Sequence, residues 1–170
     1  MDIFQALTEG KRGAVARSTE VAEYLLKHPD ELPALIKALA SVNTVLVAHA
    51  AHALLTVFHR GAGLLEPYKA ELLTLLLAGE QWELLEQMAK VMPYLGFNEV
   101  DRQHMNDRFW HIVHYGQSSI ARACAVQALV DMAHSEKRFE RQAQAALTYA
   151  LEKGSKAMQA RARNLLARPE

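Results

Sequence analysis

Apolar positions along this chain recur at helical spacing and hardly anywhere alternate with period two. Leu35 and Leu39, or Ala50 and Leu54, stand one helical turn apart inside longer apolar stripes, the pattern of helices that bury one face. No Asn-Gly or Asp-Gly hairpin turn occurs, so nothing signals strands. The breaks are regular. After Ala14 the glycines fall at 61, 63, 79, 96, 116 and 154, between periodic segments, where each can end a helix. Pro29, Pro33 and Pro67 suit first helical turns, and Pro93 marks a kink or an end. These signals predict helices at about 14–27, 30–40, 44–59, 64–78, 81–95, 98–115, 118–133, 136–153 and 155–168, with a short one over Ile3 to Thr8. The connections are a few residues long, so successive helices should lie antiparallel.

The pattern also repeats. Among the second helices of each suspected pair, Leu35, Leu72, Phe109 and Ala146 are 37 apart, and Leu39, Leu76, Val113 and Ala150 keep the same step one turn on. Among the first helices, Ala50, Met88, Ala125 and Ala162 form a second ladder, with Leu54, Met92, Leu129 and Leu166 four residues later. A helical hairpin cannot bury its apolar face alone, so such pairs are expected to stack. With the stretch ARACAVQAL at 121–129, this two-helix period resembles HEAT and armadillo-like repeats over about residues 14–168. The likeness to the short HEAT pattern lies in Ala-Leu at 53–54 and 128–129. Arginine is missing at the matching places of the other repeats. It implies a right-handed α-solenoid of about four antiparallel helix pairs in a single domain over 1–170. The last helix, with Lys156, Arg161, Arg163 and Arg168 beside Leu165 and Leu166, would be its polar cap.

That register gives an ordinary reading of the histidines in LVAHAAHALLTVFHR. At about 100° per residue His49, His52, Thr56 and His59 form one stripe. In the other repeats the row of His52 holds Lys90, Gln127 and Asn164, and that of His49 holds Gln87, Cys124 and Arg161. The stripe is thus expected to be the polar edge of the first-helix layer. A metal site is the competing reading, since His49 and His52 share i, i+3 spacing with His111 and His114. No carboxylate accompanies the first pair and there is no HExxH arrangement, so no metal and no cofactor is expected. Cys124 has no evident base beside it and is expected to be structural.

Composition narrows the function without naming it. Lys plus Arg and Asp plus Glu both number 19, so no net field draws the molecule to nucleic acid or an anionic membrane. The beginning MDIFQALTEGKR lacks a signal-type apolar core, no apolar run reaches spanning length, and a lone cysteine suits a reducing compartment, so a cytoplasmic protein is expected.

Second helices line the groove of HEAT-like arrays, and the resemblance therefore points to their polar rows as a binding face. These rows hold Lys37, Thr74, His111 and Thr148, then Glu71 and Arg108, then Tyr115 and Glu152, with His104 and Asp107 sharing the face of His111. A mixed-sign, partly aromatic face suits a protein or peptide partner, and exposed end layers leave room for an oligomer. Trp110 falls in the row of Ile36, Leu73 and Leu147 and is expected in the core, whereas Trp82 could be buried or exposed. The leading expectation is a non-catalytic interaction module with no catalytic residue. The alternative class is the HEAT-like alkylpurine DNA glycosylases, whose chemistry calls for a basic groove with exposed aromatics and a carboxylate. A phycobilin-lyase-like role has no motif behind it, and a pH-sensing role for the eight histidines would require a large stability change between about pH 5 and 7.

Overall fold

The computed structural model describes residues 1–169, and among them all regular structure is helical. Ten α-helices follow in order: α1 (Ile3–Thr8), α2 (Ser18–Lys27), α3 (Leu32–Leu39), α4 (Thr44–Gly61), α5 (Lys69–Ala78), α6 (Trp82–Val91), α7 (Glu99–Tyr115), α8 (Ser119–Ser135), α9 (Glu140–Lys153) and α10 (Lys156–Leu166). Each predicted helix has its counterpart. The differences are at the ends. Where 30–40, 64–78 and 136–153 were expected to start as α-helix, the chain first makes tighter 3-10 turns over Pro29–Glu31, Ala62–Tyr68 and Lys137–Phe139. Pro67 therefore precedes α5 instead of opening it, and Pro93 sits in the 3-10 turn Met92–Tyr94 that ends α6.

Local chemistry explains the starts and stops. The Asn43 side chain accepts from the backbone N–H groups of Val45 and Leu46, and those of Asn98, Ser118 and Ser155 cap α7, α8 and α10 in the same way. Glu99 and Asp101 in the first turn of α7 and His114 in its last turn suit the helix dipole. Gly79, Gly116 and Gly154 end α5, α7 and α9, each N–H donating to the carbonyl four residues back. A Cβ on Gly116 would lie 2.6 Å from the Ile112 carbonyl oxygen and 2.9 Å from Arg122 Cγ, so only glycine lets α8 begin this close.

The chain gathers into two compact units, Met1–Gly96 and Phe97–Glu170. In the first, α4 is the central helix, packed on α1, α2, α3 and α6. In the second, α8 has that place, packed on α7, α9 and α10. The ladders predict the cores well: Leu35, Leu72, Ala50, Met88 and Leu54 are fully buried in the first unit, and Phe109, Ala146, Ala125, Ala162 and Leu129 in the second. Each buried Leu or Phe side chain contributes about 1.5–3 kcal/mol through removal from water. Leu166 is the exception, at 53% exposed, because it lies on the outer side of the last helix. Cys124 is buried in α8 and Trp82 is exposed at the start of α6.

Candidate functional site

Helices that alternate along the chain pack unequally. α4 lies against both α2 and α6, and α8 against α10, whereas α3 touches α5, and α7 touches α9, over a few residues only. Each sparse pair leaves a groove.

In the first unit the groove between α3 and α5 has a volume of about 610 Å³ and brings together Lys37, Glu71 and Thr74, three of the predicted binding residues. Pro33, Ile36, Ala40 and Leu75 give it an apolar floor, and Tyr68 closes one end. Lys37 Nζ also stands 6.0 Å from the centroid of the Phe4 ring of α1.

In the second unit the groove between α7 and α9 has a volume of about 540 Å³ and holds Thr148 and Glu152, also predicted. From α7, however, it is lined by Trp110 and His114. His104, Asp107 and His111 are exposed, Arg108 is half-buried and Tyr115 is 75% exposed, and none of the five lines this groove. His111 and Tyr115 pair instead with each other, ring centroids 5.0 Å apart, while Asp107 accepts from Gln103 at 2.9 Å. Trp110 is thus no core residue. The sparse α7–α9 contact leaves its large indole half-exposed at the groove wall, while Ile36, Leu73 and Leu147 of the same row stay buried.

Three rings make that wall. His114 lies between Trp110 and Tyr149, with centroids 4.3 Å from each. Its Nδ1–H donates to the Trp110 carbonyl at 2.8 Å, since a carbonyl can only accept. From α8, Arg122 donates to the Tyr149 hydroxyl at 3.1 Å and to the Val113 carbonyl at 2.8 Å, which fixes the tyrosine from behind. Gln144, Thr148 and Glu152 stand at successive turns of α9 along the opening, with Arg141 at one end and Lys153 at the other. The rings put large apolar contact area beside hydrogen-bonding groups. Its charged lining residues are Arg141, Glu152 and Lys153. The i, i+4 spacing of Trp110 and His114 was the available sequence signal for this wall; Tyr149 had none.

The two grooves share five lining positions at a common offset. Ile36 and Trp110, Ala40 and His114, Glu71 and Ala145, Thr74 and Thr148, and Leu75 and Tyr149 are each 74 residues apart, twice the step of the ladders. At three of the five, Ile36, Ala40 and Leu75 of the first groove are replaced by Trp110, His114 and Tyr149 in the second.

The histidine stripe is divided in a way the spacing did not foretell. His59 is exposed and His52 half-buried, but His49 is 1% exposed, a core residue and not a polar edge. Its Nδ1 lies 2.8 Å from the Leu7 carbonyl oxygen and its Nε2 2.9 Å from that of Lys11. Both nitrogens are thereby engaged, so His49 cannot join His52 on a metal. Among the described residues no group of three or more His, Cys, Asp or Glu side chains could hold a metal ion. No described helix is long and apolar enough to cross a membrane.

No family model matches the chain, and no curated protein and no solved structure is significantly similar to it.

Proposed function

We propose that this chain is a non-catalytic interaction module of the HEAT-like, right-handed solenoid type, and that it holds a polypeptide partner in the groove between α7 and α9. The observation that carries the reading is the pair of grooves: two openings between second helices that share five lining positions 74 residues apart, one of which carries three contacting rings. The buried ladders and the caps that recur at Asn43, Ser118 and Ser155 support the repeat. Aromatic side chains bring large contact area with few rotatable bonds, which is why tryptophan and tyrosine dominate binding hot spots. The ring wall would supply the anchor. Thr148, Glu152 and Gln144 would supply orientation, and the α3–α5 groove, with Lys37, Glu71 and Thr74, is a candidate contact in its own right.

The test is affinity capture with three folded forms of the protein. One is unaltered, one carries Trp110→Ala and Tyr149→Ala, and one carries Arg108→Glu, His111→Ala and Tyr115→Ala on the exposed side of α7. A protein retained by the first and third but lost by the second supports the groove. Equal retention by all three refutes it. Salt-sensitive DNA binding at low ionic strength would move the reading to the nucleic-acid class.

A further inference from the structure

Residues 9–17 cross from α1 to α2 over the faces of α4 and α6, and two anchors hold them there. Arg12 forms a two-pronged ion pair with Glu83 of α6, at 2.5 and 2.9 Å. Lys11 offers its carbonyl oxygen to His49 of α4, whose other ring nitrogen meets the Leu7 carbonyl at the end of α1. The neck of the loop is tight: Gly10 has φ +90, and a Cβ there would lie 2.9 Å from the Cβ of Ala16. Ala16 itself has φ 48, a left-handed conformation that a residue with a Cβ holds only when its surroundings impose it. Between these points the chain is exposed. It is a strap fixed at its base.

The His49 anchor is chemically unusual. Carbonyl oxygens accept and never donate, and a neutral imidazole has a single N–H. In the neutral ring one nitrogen lone pair would face a carbonyl lone pair at under 3 Å. The imidazolium, with two N–H groups, donates to both oxygens, that of Lys11 also accepting from the Ala14 N–H at 3.0 Å. The Leu7 carbonyl, in the last turn of α1, lacks an onward helical partner and is a ready acceptor for a charged donor.

Among the described residues no other side chain competes for this ring. α1 brings no titratable group between Ile3 and Thr8. The strap brings Glu9, Lys11, Arg12 and Arg17, with the Lys11 side chain exposed, Arg12 on Glu83 and Arg17 on Glu9 and Glu20. From the other elements packed on α4 come Glu20, Glu23, Tyr24 and Lys27 of α2, Lys37 of α3, Glu66 and Tyr68 of the following turn, and Glu83, Glu86 and Lys90 of α6. His52, His59 and Arg60 share α4 itself. None of them bonds to His49, whose partners are the two carbonyls.

We propose that residues 9–17 are a proton-controlled strap: the His49 imidazolium clasps the Leu7 and Lys11 carbonyls and holds the strap on α4, and loss of its proton removes that anchor and loosens the strap, leaving Arg12 on Glu83. The sign follows from linkage. The docked form needs the proton and the loosened form does not, so docking is favoured at lower pH and weakens as pH rises.

A spin label on Gly13→Cys reads this directly. Nothing lies within 4 Å of a Cβ at that position, and Cys124 is buried and out of reach of the reagent. Between about pH 5 and 8 the ratio of mobile to immobile label should rise by up to about tenfold per pH unit. In His49→Gln, whose amide does not titrate, it should stay flat. A flat response in the His49 protein, or the same rise in both, overturns the proposal. Should His49→Gln fail to fold, nitrogen NMR of the native ring decides. Two protonated ring nitrogens in the docked protein support the strap, and one overturns it.

Discussion

Replacing Asn43 by alanine perturbs a single, well-defined contribution. Its Oδ1 accepts from Val45 N at 3.0 Å and Leu46 N at 3.1 Å, two of the N–H groups that the first turn of α4 leaves without helical partners. Asn43 is exposed, so no cavity forms on truncation, and α4 is the helix on which the first unit is built. Losing such a cap costs about 0.5–2 kcal/mol, and two donors served by one oxygen place Asn43→Ala in the upper half of that range. With a urea dependence of about 2 kcal/mol per molar, the midpoint should fall by roughly 0.6–1 M with an unchanged slope. Gln81, at the corresponding start of α6, is the natural control. It does not cap its own helix, and its amide donates to the Thr44 carbonyl at 2.8 Å on the surface. Gln81→Ala should therefore cost under about 0.5 kcal/mol. Asn43→Asp should recover most of the loss at neutral pH, because a carboxylate accepts the same bonds and suits the helix dipole. The reasoning is refuted if Asn43→Ala shifts the midpoint no more than Gln81→Ala, or if Asn43→Asp is as unstable as Asn43→Ala.

Three other outcomes are expected. Gly116→Ala drives a Cβ into the Ile112 carbonyl and should cost about 1–3 kcal/mol in a urea titration; a neutral result would show that α8 can shift freely. Asn106 is fully buried, its Oδ1 meets no donor among the described residues and its Nδ2 finds the Met132 sulfur at 3.9 Å, so Asn106→Leu, of similar branched shape, should stabilise by about 1–3 kcal/mol, and a clear loss in the same titration would mean the amide is satisfied. For Glu83 and Glu136, burial pushes the carboxyl up, but hydrogen bonds from Arg12, and from Arg138 and Arg102, bring each below the usual carboxylate range. A carboxyl held low in the folded state stabilises above its unfolded value and loses that contribution as pH falls through the folded one. Urea midpoints should thus drop on acidification below about pH 4, and Glu136→Gln should show a shallower drop.

Where the helices lie was legible in the chain because the determinants are local. The caps at Asn43, Asn98, Ser118 and Ser155, the closing glycines and the apolar stripe act within a few residues of where they stand. Most ladder positions were legible as core too, since an apolar stripe on a helix marks the face that is buried. What the sequence did not contain was the packing between elements distant in the chain. His49 looked like its polar row-mates, and only the return of α1 and the strap over α4, 42 and 38 residues back, made it a core residue bound to two carbonyls. Trp110 looked like core because its row is core. The thin contact between α7 and α9 left it at a groove wall beside Tyr149, which comes from another helix. Periodicity reports which face of a helix is apolar, but how closely the next helix approaches that face is set by side chains on both, and only the assembled structure brings them together.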